Sequence, residues 1–337
     1  MTTQTITHDK EQSGPGEVLA TVDRFRGAIW GALVGDAACL GSHWIYNLEE
    51  LAQRFPGGVT GFEAPAAGHY HYGKQPGDLT HYGDGALLML RSVAERGGFD
   101  PIDFGGRFVA LFGSDSYQGY RDHATKDTLE SYAAFMTGKP GSSYHFQGGG
   151  NDDQPATVTR LAPVVVAHWR DSDLPQVVAS VTRVSQSNER ALAYARGYTL
   201  ILQALLAGNG MASALSAAER ALVKGSSETE VSEAIAAGGN GVALTVREAT
   251  LKFGQSCPLA SSFPAAVQCA LKYEHDFSEA ILATANAGGD SAGRAAMIGA
   301  WLGAVNGAAG IPATWRKRLN RLEEIHTLVE RIVARAG

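Results

Sequence analysis

The spacing of apolar residues along the chain is helical over most of its length. Stretches such as "LLMLRSVAER", "VTRLAPVVVAHW", "ALAYARGYTLILQALLAG" and "FSEAILATANA" place apolar side chains three and four positions apart, which is the period of a helix with one buried face. Alternating β-type stretches are nearly absent, and glycine and proline interrupt the pattern at intervals that suit helix connections. The pattern predicts an all-α fold, a single compact multi-helix orthogonal bundle.

Two segments carry a glycine at every fourth position, which lines one face of a helix with hydrogen atoms only. The glycines are Gly27, Gly31 and Gly35 in the first segment and Gly299, Gly303 and Gly307 in the second. Such a face lets a neighbouring backbone approach closely, so both segments are predicted to be central helices that touch each other. Residues 295–311 are apolar enough to suggest a membrane span, but their length, Asn306 and their many small residues favour a buried helix.

Composition indicates a globular protein. The 337 residues are 45% hydrophobic and 18% charged, enough apolar surface to bury a substantial core. The polar start of the chain contains glycine and proline and lacks the apolar region of a signal peptide, so residues 1–19 are predicted to be a disordered tail and residues 20–337 one helical domain.

The net charge limits the classes of partner, and the cysteine content indicates the cellular compartment. The net charge of -6 and a pI near 5.9 argue against nucleic acid as a partner. The cysteines Cys39, Cys257 and Cys269 form no CxxC pair, which fits a reducing compartment. We therefore expect a cytoplasmic protein that binds neither nucleic acid nor membrane.

Acidic residues stand next to the predicted helices in a repeated arrangement. Asp36 follows the first glycine row, Asp84 and Asp290 each come after glycine and before a helical stretch, and Asp152 and Asp153 precede Pro155, which suits a first helical position. Taken singly, Asp84 and Asp290 could simply cap their helices. If the helix starts converge, however, the carboxylates and helix N-termini form a pocket suited to a cation near a phosphate-bearing ligand.

Four segments resemble the ADP-ribosylglycohydrolases, and in particular the branch that includes the jellyfish J1 crystallins. They are "GALVGDAACLGSHWIYN", "THYGDGALLML", "NDDQPATVTRLAPVVV" and "AGGDSAGRAAMIGAWLGAVNGAAGIPATW", in the family's order. The resemblance implies an all-helical fold of the ADP-ribosylglycohydrolase type. It also implies a cleft in which two magnesium ions help to cleave the bond between ADP-ribose and its acceptor.

Most of the family's magnesium ligands are replaced in this chain. Asp84 and Asp290 each survive in their motif, whereas Gly83 and Ala292 stand at ligand positions and His43 replaces a glutamate. Two adjacent dications need several carboxylates to offset their repulsion, so a magnesium pair is not expected. The alternatives are one divalent cation held by Asp84 and Asp290, either magnesium or a transition metal, and no ion.

The resemblance and the remaining polar residues predict a hydrolase of an N- or O-glycosidic bond of ADP-ribose or a related ribosyl compound. Its partner is then a small-molecule or ADP-ribosylated substrate. The alternative is a non-catalytic, crystallin-like or ligand-binding member. The predicted catalytic residues are Asp36, Asp84 and Asp290, and the predicted substrate-binding residues are His43, Tyr46, Asn47, Tyr82, Asp152, Asp153, Gln154 and Ser291.

Two long loops, residues 63–83 and 138–155, are further candidates for function. In the first, "HYHYG" and "THYG" bring tyrosines that could stack on a base and histidines that could bond phosphate or move a proton. For His69 and His71, a packed surface loop is an equal alternative. In the second, "QGGGN" could offer backbone N–H groups to a phosphate or be merely flexible.

Overall fold

The computed structural model describes residues 15–223 and 227–337, and these form an all-helical bundle without a β-strand. The predicted fold class is thereby confirmed. The α-helices are α1 (Pro15–Ala38), α2 (Leu48–Arg54), α3 (His81–Arg96), α4 (Pro101–Phe112), α5 (His123–Gly138), α6 (Ala162–Ala167), α7 (Leu174–Ser185), α8 (Glu189–Leu206), α9 (Met211–Ala221), α10 (Ser227–Asn240), α11 (Val246–Phe253), α12 (Leu259–Lys272), α13 (Phe277–Ala285), α14 (Ser291–Asn306), α15 (Ala313–Arg316) and α16 (Leu322–Ala336).

Helices α1 and α14 lie against each other at the centre of the bundle, as the glycine rows predicted. A Cβ atom added at Gly31 would overlap the carbonyl oxygen of Gly299, and one added at Gly27 would overlap that of Gly303. Only hydrogen fits on these faces, so the two backbones pack at a distance that any side chain would increase. Gly307 differs from the prediction, because it ends α14 as the C-cap with φ 68°.

Short polar residues begin several of the surrounding helices. Asp100 caps α4 and Asn188 caps α8, each by accepting hydrogen bonds from two backbone N–H groups of the first turn. Asp276 caps α13 through the N–H of Glu279. These side chains satisfy donors that the helix itself leaves free, and they show what an ordinary aspartate cap looks like in this protein.

Two sequence predictions about helix boundaries need correction. The stretch "VTRLAPVVVAHW" is not one helix but a 3-10 turn, Val158–Arg160, followed by α6. Pro163 lies in the first turn of α6, where its missing N–H is harmless, whereas inside a longer helix it would break a hydrogen bond. The predicted tail, residues 1–19, is not helix-free, since α1 already begins at Pro15. Residues 1–14 lie outside the described residues.

Both predicted loops are present, but the first ends before residue 83, because residues 81–83 belong to α3. Residues 55–80 connect α2 to α3, and residues 139–157 connect α5 to the 3-10 turn. Helix α14 is buried along most of its length, as the sequence favoured. Across residues 15–223 and 227–337, no helix is both long enough and apolar enough to cross a bilayer.

Candidate active site

A glycine turn brings the first and the last motif of the sequence together. Gly288 and Gly289 have φ values of 71° and 65°, a region that glycine enters without steric cost. Gly289 exchanges backbone hydrogen bonds with the first motif, accepting from Trp44 N at 2.7 Å and donating to Ile45 O at 2.8 Å. Asp290 follows directly, so the turn places its side chain beside the end of the first motif.

Asp290 stands at the N-cap position of α14 but does not cap it. Its side chain is completely buried, and neither a capping hydrogen bond nor any other hydrogen bond of normal geometry reaches its oxygens from the described residues. The Trp44 side chain and the backbone N–H of Gly293 lie near enough to lower its pKa. The nearest titratable group is His43, whose Nδ1 lies 3.7 Å from Asp290 Oδ1. Burial raises the pKa of Asp290 to about 7, although the charge of Arg294 opposes the shift. Capping therefore does not account for this residue.

Three buried histidines lie beside Asp290. His43, His71 and His81 each offer a ring nitrogen within 4.8 Å of the other two. Burial lowers the pKa of all three, to about 2 for His71 and about 3 for His81, so that the imidazoles are neutral. His71 is buried in this cluster, so its ring does not lie at the surface of the loop.

Aromatic rings cover the histidines on the solvent side. Trp44, which has an unusual positive φ of 61°, lies 5.2 Å from the ring of Tyr70 and 4.9 Å from that of Tyr120. Its indole N–H donates to Cys257 Sγ at 3.2 Å, and the hydroxyl of the half-exposed Tyr46 lies 3.7 Å from the same sulfur. The cluster is thus closed in this conformation.

Tyr82 lies inside the same group. Its ring centroid is 3.9 Å from that of His81 and 5.8 Å from that of His43. The buried hydroxyl has no hydrogen-bond partner among the described residues, and burial raises its pKa well above the usual value. Tyr82 is therefore a neutral phenol beside the cluster, and its substrate-binding role stays a prediction.

Asp36 is also buried, but its carboxylate is satisfied. It accepts the backbone N–H of Thr80 at 2.8 Å and the hydroxyl of Thr80 as well. A Cβ atom at Gly83 would overlap Asp36 Oδ2, so Asp36 occupies the space that a side chain at residue 83 would need. These contacts anchor α3 against α1 and give each oxygen of Asp36 one hydrogen bond, and its catalytic role stays a prediction.

Asp84 does not lie at the helix N-terminus where it was predicted. The N-cap of α3 is Thr80, and Asp84 lies within the first turn. Its Oδ2 accepts from Lys74 Nζ and from the hydroxyl of Tyr117, both at 2.8 Å. Of the three predicted helix-start sites, only Asp290 is at an N-cap position.

An open cleft of about 660 Å³ lies on the other side of Asp84. Its walls include Tyr72, Lys74, Arg91 and Tyr117. The charge of Lys74 contributes to the lowered pKa values of His71 and His81. The Lys74–Asp84 ion pair therefore lies between the open cleft and the buried histidines.

The third motif lies close to the histidine cluster, but its two carboxylates are bonded to other groups of the protein. Asp152 accepts from Gln186 Nε2 at 3.0 Å and from Gln154 N at 2.9 Å, and Asp153 pairs with Arg190 at 3.0 Å. The predicted helix start at Pro155 is wrong, since the segment forms turns before the 3-10 turn Val158–Arg160.

Two further residues that were predicted to bind substrate contact neighbouring groups of the protein. Asn47 caps α2 by accepting from the N–H groups of Glu49 and Glu50. Ser291 is fully buried, and its side chain lies next to the Cys39 thiol, whose pKa burial raises. Both side chains reach a ligand only if these arrangements change, so their predicted roles remain untested predictions.

Known proteins share this architecture and its motifs. The sequence profile of the ADP-ribosylglycohydrolase family matches residues 18–337. The chain belongs to the ADP-ribosylglycohydrolase family. A solved structure titled "ADP-ribosylglycohydrolase-related protein complex" is 24% identical, with a TM-score of 0.73, and the match covers 95% of this chain and 100% of the other.

Two curated relatives come from the jellyfish Tripedalia cystophora. Crystallin J1A is 23% identical over 317 residues, and Crystallin J1B is 23% identical over 321 residues. Each match covers 92% of this chain and 96% of the relative. The resemblance recognised in the sequence, including the crystallin branch, is confirmed.

The magnesium pair implied by the family does not fit the residues present. Asp84 Oδ2 is bonded to an ammonium and a phenol, and Asp36 is bonded to Thr80. The remaining donors near Asp290 are imidazoles, whereas magnesium takes oxygen ligands in octahedral geometry. This ADP-ribosylglycohydrolase family member therefore lacks the oxygen donors for two magnesium ions.

Sequence reasoning underestimated several residues of the site. Lys74, Trp44, Tyr117 and Arg294 were not singled out, and His81 was considered for phosphate binding or proton transfer but not as part of a buried cluster. The alternation in "HYHYG" is visible in the sequence, but which of its rings are buried is not. Arg294 is completely buried and donates to the carbonyl oxygens of Gly288 and Gln255, a role that only the folded turn creates.

Proposed function

We propose that this family member hydrolyses an N- or O-glycosidic bond of ADP-ribose or a related ribosyl compound. It would act on a small-molecule or ADP-ribosylated substrate, with at most one divalent cation in place of the family's magnesium pair. Membership of the ADP-ribosylglycohydrolase family supports hydrolysis of a glycosidic bond. The cluster of histidines, which stands where magnesium would need oxygen ligands, supports a cation requirement different from that of the family.

The observation that carries this proposal is the unpartnered carboxyl group of Asp290. Burying a carboxyl group without hydrogen bonds costs stability, and Asp290 neither caps its helix nor pairs with a cation within 4 Å. Strongly perturbed acids of this kind cluster at functional sites. A carboxyl group with pKa about 7 is present in both protonation states near neutral pH, as a general acid or base requires.

Asp290 and the polar groups around it have separate roles in the proposed reaction. Asp290 protonates the leaving group or activates water, while Tyr82 and His43 orient the reacting ribosyl group by hydrogen bonds. The carboxylate of Asp84 faces the cleft and stabilises the positive charge that develops on the sugar. For the ribosyl group to reach Asp290, the side chain of Lys74 must move away from Asp84. The Lys74–Asp84 ion pair is then lost, and contacts with the substrate replace it.

The cleft has the size and chemistry for the rest of such a substrate. A volume of about 660 Å³ falls within the usual range for small-molecule pockets. Lys74 and Arg91 supply positive charge for phosphate oxygens, and the exposed ring of Tyr72 supplies a stacking surface for a base. These groups favour a phosphate-bearing ribosyl compound over a neutral glycoside.

A second candidate function is a non-catalytic, ligand-binding or crystallin-like role. The closed aromatic cover over Asp290 and the Lys74–Asp84 ion pair favour it, because both block the approach to the buried carboxyl group. The two curated relatives are named crystallins. In this alternative, the cleft binds its ligand without turnover.

The test compares aspartate-to-asparagine variants on a panel of ADP-ribosylated peptides, ADP-ribose and simple ribonucleosides. Asp290→Asn and Asp84→Asn are expected to abolish hydrolysis, because a neutral amide neither transfers a proton nor stabilises an oxocarbenium ion. Asp276→Asn is the matched control, since asparagine caps a helix about as well as aspartate. Asp276 makes an ordinary cap on α13.

Turnover and ligand-induced thermal stabilisation are measured for all four proteins. Hydrolysis that is lost in the two site variants and kept in Asp276→Asn supports the enzyme. Stabilisation by ligand without any turnover in wild type supports the binding protein instead. Equal hydrolysis in all four proteins would remove both aspartates from the mechanism.

A further inference from the structure

We propose that His43, His71 and His81 form a binding site for one transition-metal ion of the zinc or cobalt type. The ligands are three imidazoles, which distinguishes this site from the oxygen-ligated magnesium pair of the family. The inference does not depend on the hydrolase activity proposed above, because a metal-binding crystallin-like protein would carry the same site.

The three histidines reach this point from separate parts of the chain. His43 follows α1, His71 lies in the loop of residues 55–80, and His81 begins α3. Among the described residues, they are the one group of three or more His, Cys, Asp or Glu side chains whose ligand atoms lie within 4.8 Å of each other. Three histidines are the protein ligands of one kind of catalytic zinc site, in which the fourth position is taken by water or substrate.

Their ring nitrogens lack partners within the protein. Both nitrogens of His71, both of His81 and Nε2 of His43 are buried without a hydrogen bond to any described residue. Leaving a buried polar atom unsatisfied costs about 1–3 kcal/mol each, so five in one cluster call for a ligand that the protein itself does not supply. A metal ion satisfies one nitrogen of each ring at once.

Two carboxylates stand behind the rings in the positions that metal-bound histidines commonly use. Asp290 Oδ1 lies 3.7 Å from His43 Nδ1, and Asp122 Oδ2 lies 3.7 Å from His81 Nε2. A carboxylate that accepts the N–H of one ring nitrogen orients the other nitrogen towards the metal. This arrangement assigns His43 Nε2 and His81 Nδ1 as ligand atoms.

Binding would rearrange one hydrogen bond at His43. Its Nδ1 now accepts the N–H of Ala292 at 3.3 Å, so the ring proton is on Nε2. When Nε2 binds a metal ion, that proton moves to Nδ1 and is donated to Asp290. The bond from Ala292 is long, so its loss is small compared with the new bond to a carboxylate.

The chemistry of the three imidazole ligands determines which metal ions the site can bind. Neutral imidazole suits zinc, cobalt, nickel and copper, whereas magnesium and calcium take oxygen ligands. The nearby positive charge of Lys74 is matched by Asp84 at 2.8 Å, so a cation does not meet an unpaired ammonium.

The rings need a small inward movement to close on an ion. Zinc to nitrogen distances are about 2.0–2.1 Å, which places tetrahedral ligands closer together than the 4.8 Å limit of the cluster. The adjustment is on the order of 1 Å per nitrogen, within reach of side-chain rotation, since the rings of His71 and His81 have no hydrogen bond to the described residues and that of His43 has only the long one from Ala292.

The experiment starts from full-length protein stripped with a chelator. Zinc, cobalt and magnesium are added separately, and bound metal, melting temperature and the visible spectrum are recorded. Zinc and cobalt are expected to bind at one ion per chain and to raise the melting temperature, because a ligand that binds only the folded state stabilises it. Cobalt should give the visible absorption of a tetrahedral nitrogen site, and magnesium should leave all three readouts unchanged.

Variants identify the ligands and the supporting carboxylate. His71→Gln should reduce zinc affinity by at least about 100-fold, and Asp122→Asn, which keeps the cap of α5, by about 10–100-fold. His326→Gln changes an exposed histidine on α16 and should bind zinc like wild type. If His71→Gln fails to fold, Asp122→Asn and the wild-type cobalt spectrum still decide the question.

Stripped wild-type protein that gains neither bound zinc nor cobalt nor a higher melting temperature would overturn the site. Binding that His71→Gln leaves unchanged would also overturn it. Because these readouts need no substrate, they separate the failure of this inference from failure of the proposed function. An inactive protein with one zinc ion supports the site and not the hydrolase.

Discussion

Asp36 and Asp290 lie at neighbouring ends of the central helix pair and have similar surroundings but different contacts. Both are completely buried, and burial raises the pKa of each to about 7. Asp36, near the end of α1, accepts two hydrogen bonds from Thr80. Asp290, at the start of α14, accepts none from the described residues and lies next to His43.

The difference separates a structural aspartate from a functional candidate. Equal burial produces a similar pKa shift in both, so the shift alone does not distinguish them. The hydrogen bonds do, because Asp36 connects α1 to the N-terminus of α3, whereas Asp290 makes no hydrogen bond of normal geometry to the described residues. A buried acid that the fold does not use is the better candidate for chemistry.

The largest expected effect comes from separating the two helices that carry these aspartates. Gly31→Ala places a methyl group against the backbone of Gly299, so α1 and α14 must move apart. We expect a loss of about 3 kcal/mol or more in unfolding free energy, measured by denaturant titration. Both aspartates would be displaced together.

The matched control is Gly106→Ala on α4, where an added Cβ meets no atom within 4 Å. There the helix propensity of alanine should raise stability by up to about 1 kcal/mol. Similar melting curves for the two variants would show that the glycine row does not determine how closely the helices pack.

A second prediction concerns the different effects that substitution of the two aspartates has on stability as the pH changes. Below about pH 4, Asp290 is protonated in both the folded and unfolded chain. As the pH rises to about 7, the unfolded chain loses this proton while the folded protein keeps it, so stability falls, and above pH 7 the loss is complete. Asp290→Asn removes that loss and should be more stable than wild type at pH 8, with little difference at pH 4.

Asp36→Asn provides the contrast, measured over the same pH range. Asparagine offers one acceptor oxygen where Thr80 now uses two, so the gain at pH 8 is offset by a lost hydrogen bond. We expect Asp36→Asn to be less stable than wild type at pH 5. If both variants follow the same stability curve, the distinction drawn from their contacts is wrong.

The smallest expected effect comes from making Asp36 more like Asp290. Thr80→Val removes the hydroxyl that bonds Asp36 and the side-chain cap of α3. Stability should fall by about 1–2 kcal/mol at pH 5, and further at pH 8, where Asp36 ionises with one acceptor unsatisfied. Thr245→Val, at the exposed cap of α11, should show a loss that does not change between pH 5 and pH 8.

Much of the fold was readable from the chain because its signals are local. The helical period predicted the fold class, and the spacing of Gly31 and Gly299 predicted the central contact that the structure confirms. Boundaries were less certain where proline and capping residues compete. Thr80 rather than Asp84 caps α3, because an N-cap must precede the helix and Asp84 lies one turn inside it.

The sequence by itself determined the all-α class, the central glycine contact, the family and the loss of most magnesium ligands, because each depends on residue type and spacing alone. Only the tertiary structure decided what each acid contacts. Lys74 reaches Asp84, Thr80 satisfies Asp36, and Asp290 is left beside His43. Hydrogen bonds and desolvation depend on neighbours that are distant in sequence, so the partners of a carboxylate emerge only when the chain has folded.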